Sequence, residues 1–224
     1  MIRLIEPDVH PGPQVSAVEG FRLKIVLEGT KPKIWRELIV PAEASFGWLH
    51  AAIQVAMGWT NSHLHLFKTD TTVISDSGFE LEQMAGGPPV TDEEKVQLKE
   101  LFPEGTGTCI YEYDFGDSWM HQITFKPLAP GTEMTPNSAT CVGGARPCPP
   151  EDCGGIRGYA NLLKILKDPS HPEHISMRLW LGGPLNQTQF DREDINHWLS
   201  KLRWPKVTQA GLRKILKGRD RDKD

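Results

Sequence analysis

Three cysteines lie close together in residues 141–155, CVGGARPCPPEDCGG, with prolines and glycines between them. Their spacings are Cx6C and Cx4C, and cysteine thiolates bind Zn²⁺ tetrahedrally when a fourth ligand is present. A histidine of HPEH, residues 171–174, is the candidate for that fourth ligand. The predicted zinc ligands are therefore Cys141, Cys148 and Cys153 with His171 or His174.

The same stretch has two other interpretations. Proline fixes φ, glycine permits positive φ, and an Asp or Glu side chain can bond nearby backbone amides. PPEDCGG is therefore also typical of a rigid turn in which Glu151 or Asp152 caps amides. A reactive thiol is the third interpretation. We favour the rigid turn, in which the sulfur atoms have an architectural role.

A second group of residues that could do chemistry surrounds SHLHLF, residues 62–67. Side chains alternate along a strand, so His63 and His65 are expected to point to one face. Two imidazoles and a carboxylate form a three-ligand metal site with an open position for water, as in metal-dependent hydrolases. The partners offered by YEYDFGDSWMH are Glu112, Asp114, Asp117 and His121. Alternatively, the two histidines form a hydrogen-bonded pair that fixes the sheet, and Asp117 shapes its own turn.

The basic residues are concentrated at the carboxyl end. From Lys201 onward there are nine Lys and Arg against three Asp, whereas the preceding 200 residues hold 16 basic and 26 acidic side chains. The end therefore carries 9 − 3 = +6 and the body 16 − 26 = −10. Arg213, Lys214 and Lys217 are predicted to face outward from a short helix, where they could contact the phosphates of a nucleic acid. A solvated helix face is the favoured interpretation, because a short helix containing a glycine is a poor recognition helix.

Composition and missing motifs narrow the protein class. The chain has 224 residues, 38% hydrophobic and 24% charged, which is typical of a soluble globular protein. It lacks a run of about 18 apolar residues and a secretory leader pattern, so we expect a cytoplasmic protein with reduced cysteines and no membrane partner. The sequence contains no phosphate-binding loop, GxSxG elbow, HExxH or GxGxxG motif. It therefore gives no support for nucleotide binding, serine-hydrolase, zincin or Rossmann chemistry.

Strand patterns dominate the first 125 residues and helix patterns the last 70. FRLKIVLE and IWRELIV alternate apolar and polar residues and predict a hairpin. Ser45 is placed to cap a helix that ends at Gly58. Thr91 with Glu94 predicts a capped helix over TDEEKVQLKELF. We therefore predict an α+β fold, with an antiparallel or mixed sheet from the amino-terminal half, helices packed on it and a mainly helical carboxyl-terminal part.

Three ordered segments carry a resemblance to a known family. KPKIWRELIVPAEASFGWLHAAIQVAMGWTNSHLHLF, YEYDFGDSWMHQI, and CVGGARPCPPEDCGG followed by GYANLLKILKDPSHPEH resemble the plasmid pRiA4b ORF-3-like family over roughly residues 20–200. The resemblance implies an α+β domain without an assigned reaction, found on plasmids, beside insertion-sequence transposition genes and in ordinary chromosomes. It suggests an accessory role near mobile DNA.

These observations lead to one organisation and two functional hypotheses. Residues 1–18 are predicted to form an arm, residues 19–204 a single domain, and residues 205–224 a basic helix with a charged tail. The leading hypothesis is a cytoplasmic, non-enzymatic binding or accessory module that recognises a protein or a nucleic acid. The alternative is a metal-dependent hydrolase built on His63, His65 and a carboxylate, for which zinc is the candidate metal.

Overall fold

The computed structural model describes residues 19–76, 90–129, 131–205 and 207–221. Within this part of the chain one mixed sheet contains eight strands. They are β1 (Gly20–Leu27), β2 (Ile34–Pro41), β3 (His65–Lys68), β4 (Val73–Ser75), β5 (Val90–Asp92), β6 (Gly107–Tyr113), β7 (Trp119–Pro127) and β8 (Thr140–Ala145). Their order is β5-β4-β3-β6-β7-β1-β2-β8, in which β4 and β5 run parallel and the other neighbours are antiparallel.

The predicted first hairpin is confirmed. Alternate residues of β1, from Phe21 to Leu27, are buried, and Leu23 pairs with Leu38 of β2. This alternation places one face of the strand pair in the core, because successive side chains of a strand point to opposite faces.

The helix α1 (Phe46–Met57) is central to the core, and all twelve of its residues are buried. Ser45 begins it by accepting a hydrogen bond from the Trp48 amide at 3.1 Å, and Gly58 ends it in the left-handed conformation at φ 86°. Both boundaries are as predicted, because the cap satisfies a free amide and glycine tolerates positive φ.

The remaining helices are α2 (Leu98–Leu101), α3 (Gly155–Lys167), α4 (His174–Trp180), α5 (Arg192–Leu199) and α6 (Gln209–Arg221). Leu212 and Leu216 bury α6 against the core. Arg219 of α6 pairs with Asp194 at 3.0 Å and donates to the carbonyl of Val55, in the last turn of α1. This guanidinium lies where the dipole of α1 favours positive charge. The α+β prediction, with a mainly helical carboxyl-terminal part, is confirmed.

Two local predictions are wrong. Residues 91–102 do not form one helix: Thr91 lies in β5, whose backbone pairs with β4, and α2 begins only after Gln97. The cysteine-rich stretch, which the sequence indicates to be a loop between the strand and helix regions, is a loop only after its first residues, because Thr140–Ala145 forms β8 beside β2. The predicted arm, residues 1–18, lies outside the described residues. Among the described helices, none has the length and apolar character required to cross a bilayer.

Candidate functional site

The loop of residues 146–154, between β8 and α3, is fastened to the rest of the fold through Glu151. One carboxylate oxygen accepts hydrogen bonds from the amide of Thr60, at 2.9 Å, and from the hydroxyl of the same residue. The other oxygen accepts from the Tyr113 hydroxyl, at the end of β6. Glu151 therefore joins the loop to two segments that are distant in sequence.

Two further contacts hold the loop in place. The indole N–H of Trp59 donates to the carbonyl of Pro149 at 3.0 Å, and the amide of Gly154 donates to Asp117 at 3.2 Å. Gly155 has φ 65°, and a side chain there would come within 2.4 Å of the Asp117 carbonyl oxygen. Glycine is therefore required for this close approach.

The fastened loop brings Asp152 to His63. The Nε2 atom of His63 lies 3.3 Å from Oδ1 of Asp152, and its Nδ1 atom lies 3.7 Å from Oδ1 of Asp114. One ligand atom from each of the three residues lies within 4.8 Å of the others. Among the described residues, this is the one set of three His, Cys, Asp or Glu side chains with that property.

Strand pairing explains how Asp114 reaches His63. His65 pairs with Tyr113, and the amide of Asp114 donates to the Leu64 carbonyl at 2.9 Å. The residues just before β3 therefore lie beside those just after β6. Asp114 is largely buried, has φ 58°, and accepts a hydrogen bond from the Gly116 amide at 3.0 Å, so its carboxylate is held in one orientation.

His63 and Asp114 line an open cleft of about 510 Å³. Arg213 of α6 and Asp76, after β4, also line it. The side chains of Leu64 and Phe115 line it too and are 49% and 36% exposed. The cleft is thus accessible, lined by two carboxylates and one guanidinium, and bordered by apolar side chains.

One imidazole and two carboxylates suit two kinds of chemistry. They supply the nitrogen and oxygen donors that Zn²⁺ and other first-row divalent cations accept, with coordination positions left for another ligand. Without a cation, a protonated His63 would form ion pairs with Asp114 and Asp152. The pair with Asp152 would contribute little to stability, because the Asp152 side chain is exposed. The geometry can therefore hold either a cation or a local ion-pair cluster.

Comparisons with known proteins identify the family. A family profile described as plasmid pRiA4b ORF-3-like protein matches residues 19–197. The chain belongs to this family. It is 37% identical over 164 residues to the uncharacterized protein y4hQ of Sinorhizobium fredii, covering 72% of this chain and 80% of that protein. It is also similar to the crystal structure of a protein of unknown function, MM3350 from Methanosarcina mazei Go1, with a TM-score of 0.66 and 33% identity over 78% of this chain and 95% of that one.

The three segments that carry the family resemblance meet at this site. The first contributes His63, the second Asp114 and the third Asp152. Sequence reasoning identified His63 and Asp114 as candidate ligands but assigned Asp152 only to a turn. Glu151 was expected to cap amides, and it does accept from the Thr60 amide, far from its own turn.

His65 does not join His63, although both were predicted to share one strand face. The strand begins only at His65, which is buried with its Nε2 atom 2.6 Å from Glu93. Its ring stacks on that of His50 with centroids 3.4 Å apart, and Nδ1 of His50 lies 2.9 Å from the Tyr111 hydroxyl. Burial lowers the pKa of His50 to about 3 and of His65 to about 4, and raises the pKa of Glu93 to about 7. His50 and Glu93 had no recognisable signal in the sequence.

The other predicted partners of a hydrolytic site also lie apart from the three-residue group. His121 is completely buried on β7, 3.3 Å from the Tyr111 carbonyl through Nδ1. Asp117 caps the Gly154 amide of the neighbouring loop instead of shaping only its own turn. Glu112 accepts a hydrogen bond from the Ser118 hydroxyl at 2.8 Å.

The predicted zinc ligands are not brought together as a group of three donors. Cys141 is buried on β8, and the Cys148 sulfur lies 3.0 Å from that of Met57. Burial raises the pKa of the Cys153 thiol to about 12, so without a metal this thiol is protonated and is a poor nucleophile. His171 and His174 lie around the start of α4, where His174 contacts the Ile165 carbonyl at 3.0 Å.

The basic residues predicted to contact nucleic acid are exposed on α6. Arg213, Lys214 and Lys217 all have exposed side chains, as the helical pattern indicated. Arg213 lines the cleft that contains His63 and Asp114, so it faces a partly acidic site.

Proposed function

We propose that this chain is a binding module that takes one divalent cation at His63, Asp114 and Asp152. A single observation carries the proposal: three donor atoms from segments far apart in sequence lie within 4.8 Å of one another. Asp152 is held near His63 by the hydrogen bonds of Glu151. Donors that are positioned before binding lose less conformational freedom when the ligand arrives, which favours affinity.

We favour binding over hydrolysis because the remaining residues of the hydrolase hypothesis have other contacts. His65 is held by Glu93, Asp117 by Gly154, and His121 lies in the core. A protein or nucleic-acid partner and an association with plasmids or mobile elements remain parts of the proposal. The family description supports the plasmid association.

The test is equilibrium dialysis of the purified full chain against ZnCl₂ and, separately, MnCl₂, followed by elemental analysis. We expect about one ion per chain, and a loss of affinity of about tenfold or more in His63→Ala and in Asp114→Asn. His171→Ala is the matched control, because it removes a partly exposed histidine outside the site, and it should bind like the wild type. The proposal is refuted if neither ion binds, or if binding survives His63→Ala but is abolished by Cys148→Ser.

A further inference from the structure

The cleft beside the cation site contains a positive charge that needs an explanation. Arg213 lines it together with His63 and Asp114. Its side chain is exposed, and its guanidinium has no hydrogen bond or ion pair within the described ranges. An arginine placed beside a cation site is suited to an anion that both can bind, because guanidinium groups bond oxyanions with paired N–H donors.

We propose that, given the cation of the proposed function, this cleft binds an oxyanion, either a phosphate or a carboxylate group, between the cation and Arg213. Three protein donors leave coordination positions of a divalent cation open for another oxygen ligand. The volume of about 510 Å³ is within the range of small-molecule sites, roughly 300–1,000 Å³, and much larger than one ion requires. Leu64 and Phe115 offer apolar surface to an organic group that carries the oxyanion.

The charges make oxyanion binding conditional on the cation. Without it, the carboxylates of Asp114 and Asp152 beside His63 repel an anion. A divalent cation neutralises these two charges and offers open coordination positions to the anion. The oxyanion and the cation should therefore bind cooperatively, each raising the affinity of the other by the same factor.

Arg213 also has the simpler interpretation of a solvated residue on the outer face of α6. That interpretation predicts no dependence of anion binding on the cation, since a lone surface arginine attracts anions equally in either state. It also predicts that neighbouring Lys214, which is exposed on the same helix, has an equal effect when replaced. Both differences can be measured.

Isothermal titration calorimetry of the full chain tests the inference with two probes, phenyl phosphate and phenylacetate, each with and without saturating MnCl₂. We expect at least one probe to bind about tenfold more tightly with Mn²⁺. Arg213→Gln should remove about tenfold of that affinity without weakening Mn²⁺ binding, because it removes a positive charge and no cation donor. Lys214→Gln is the control and should behave like the wild type. A response to phenyl phosphate alone identifies a phosphate ligand, and a response to phenylacetate alone identifies a carboxylate ligand.

Failure of this inference is distinct from failure of the proposed function. If Mn²⁺ binds but neither probe responds to it, or if Arg213→Gln matches the wild type, the oxyanion site is refuted and the cation site stands. If Mn²⁺ and Zn²⁺ both fail to bind in dialysis, the cation site and the oxyanion site are refuted together.

Discussion

Replacing Glu151 by glutamine should loosen the loop that presents Asp152 without removing a donor of the cation site. The Glu151 carboxylate accepts hydrogen bonds from the amide and hydroxyl of Thr60 and from the hydroxyl of Tyr113. Glutamine keeps one acceptor oxygen but has no negative charge. Its NH₂ group takes the place of the second carboxylate oxygen and must face either the Tyr113 hydroxyl or the donors of Thr60. The loop should therefore lose part of its attachment while its backbone stays unchanged.

The expected effect on stability follows from the number of bonds. A hydrogen bond to a charged group contributes about 1.5–3 kcal/mol. Glutamine can retain both bonds from Thr60 in weaker, neutral form, because one oxygen accepts both of them, and it loses the charge-assisted bond from Tyr113. The site is partly open to water, which reduces the loss. We expect Glu151→Gln to lower the free energy of unfolding by about 2–3 kcal/mol. Affinity for the cation should fall by about tenfold, because the positioning of Asp152 becomes less restricted.

Urea denaturation followed by tryptophan fluorescence measures the first quantity, and Mn²⁺ dialysis the second. Tyr113→Phe is the informative partner, because it removes one donor to Glu151. It also removes the acceptor of the Ser62 amide, at 3.0 Å, which the cycle cancels because that bond is lost in both backgrounds. In a double-mutant cycle, the two substitutions should be coupled by about 1 kcal/mol. Additive effects, or a Glu151→Gln variant within about 0.5 kcal/mol of the wild type with unchanged Mn²⁺ affinity, would show that Glu151 does not fasten the loop.

Two further predictions concern His121 and α6. Burial lowers the pKa of His121 to about 4 from an ordinary value of 6.5, so between those pH values the unfolded chain binds a proton that the folded chain does not, and stability should fall as pH falls from 6.5 to 4. His121→Phe should flatten the pH dependence of urea unfolding by about 1.4 kcal/mol per pH unit in that window, and an unchanged slope contradicts the assignment. The nucleic-acid hypothesis predicts that Lys214→Glu with Lys217→Glu weakens binding of a DNA duplex by about tenfold or more at low salt, measured by filter binding. Equal binding by both proteins contradicts it, and charge reversal is preferable to truncation because Leu212, Leu216 and Arg219 of α6 are buried.

Elements defined by local patterns could be predicted from the sequence. The strand β1 is indicated by its own alternation of apolar and polar residues, and α1 by the serine and glycine at its two ends. Both elements have the predicted form. The helix predicted over residues 91–102 failed because β5 is stabilised by pairing with β4, a contact between segments that no local pattern records. The residues that follow β5 are held by α1 instead, because the amides of Phe46 and Gly47 donate to the carbonyls of Val96 and Glu93.

The candidate site was predictable only in part, for the same reason. Asp114 was a candidate partner of His63 only on the condition that the two strands lie together, and the pairing of β3 with β6 meets that condition. Asp152 could not be placed there, since its position depends on hydrogen bonds that Glu151 accepts from Thr60, 91 residues away. For His65 the error is the opposite, because closeness in sequence was taken for closeness in space. His65 is two residues from His63, but β3 begins only at His65, and its side chain lies in the core beside Glu93.

The two adjacent acids of the cysteine-rich stretch have separate roles, and this separation bears on how the site could work. Glu151 is bonded to the fold, whereas the Asp152 side chain is 71% exposed and contacts His63 alone among the described ion pairs. An exposed ion pair adds little to stability, so neither His63 nor Asp152 explains why the loop is held so firmly. The hydrogen bonds of Glu151 stabilise the fold by themselves. They also hold Asp152 beside His63, so the donors of the proposed cation site are positioned before the ligand arrives.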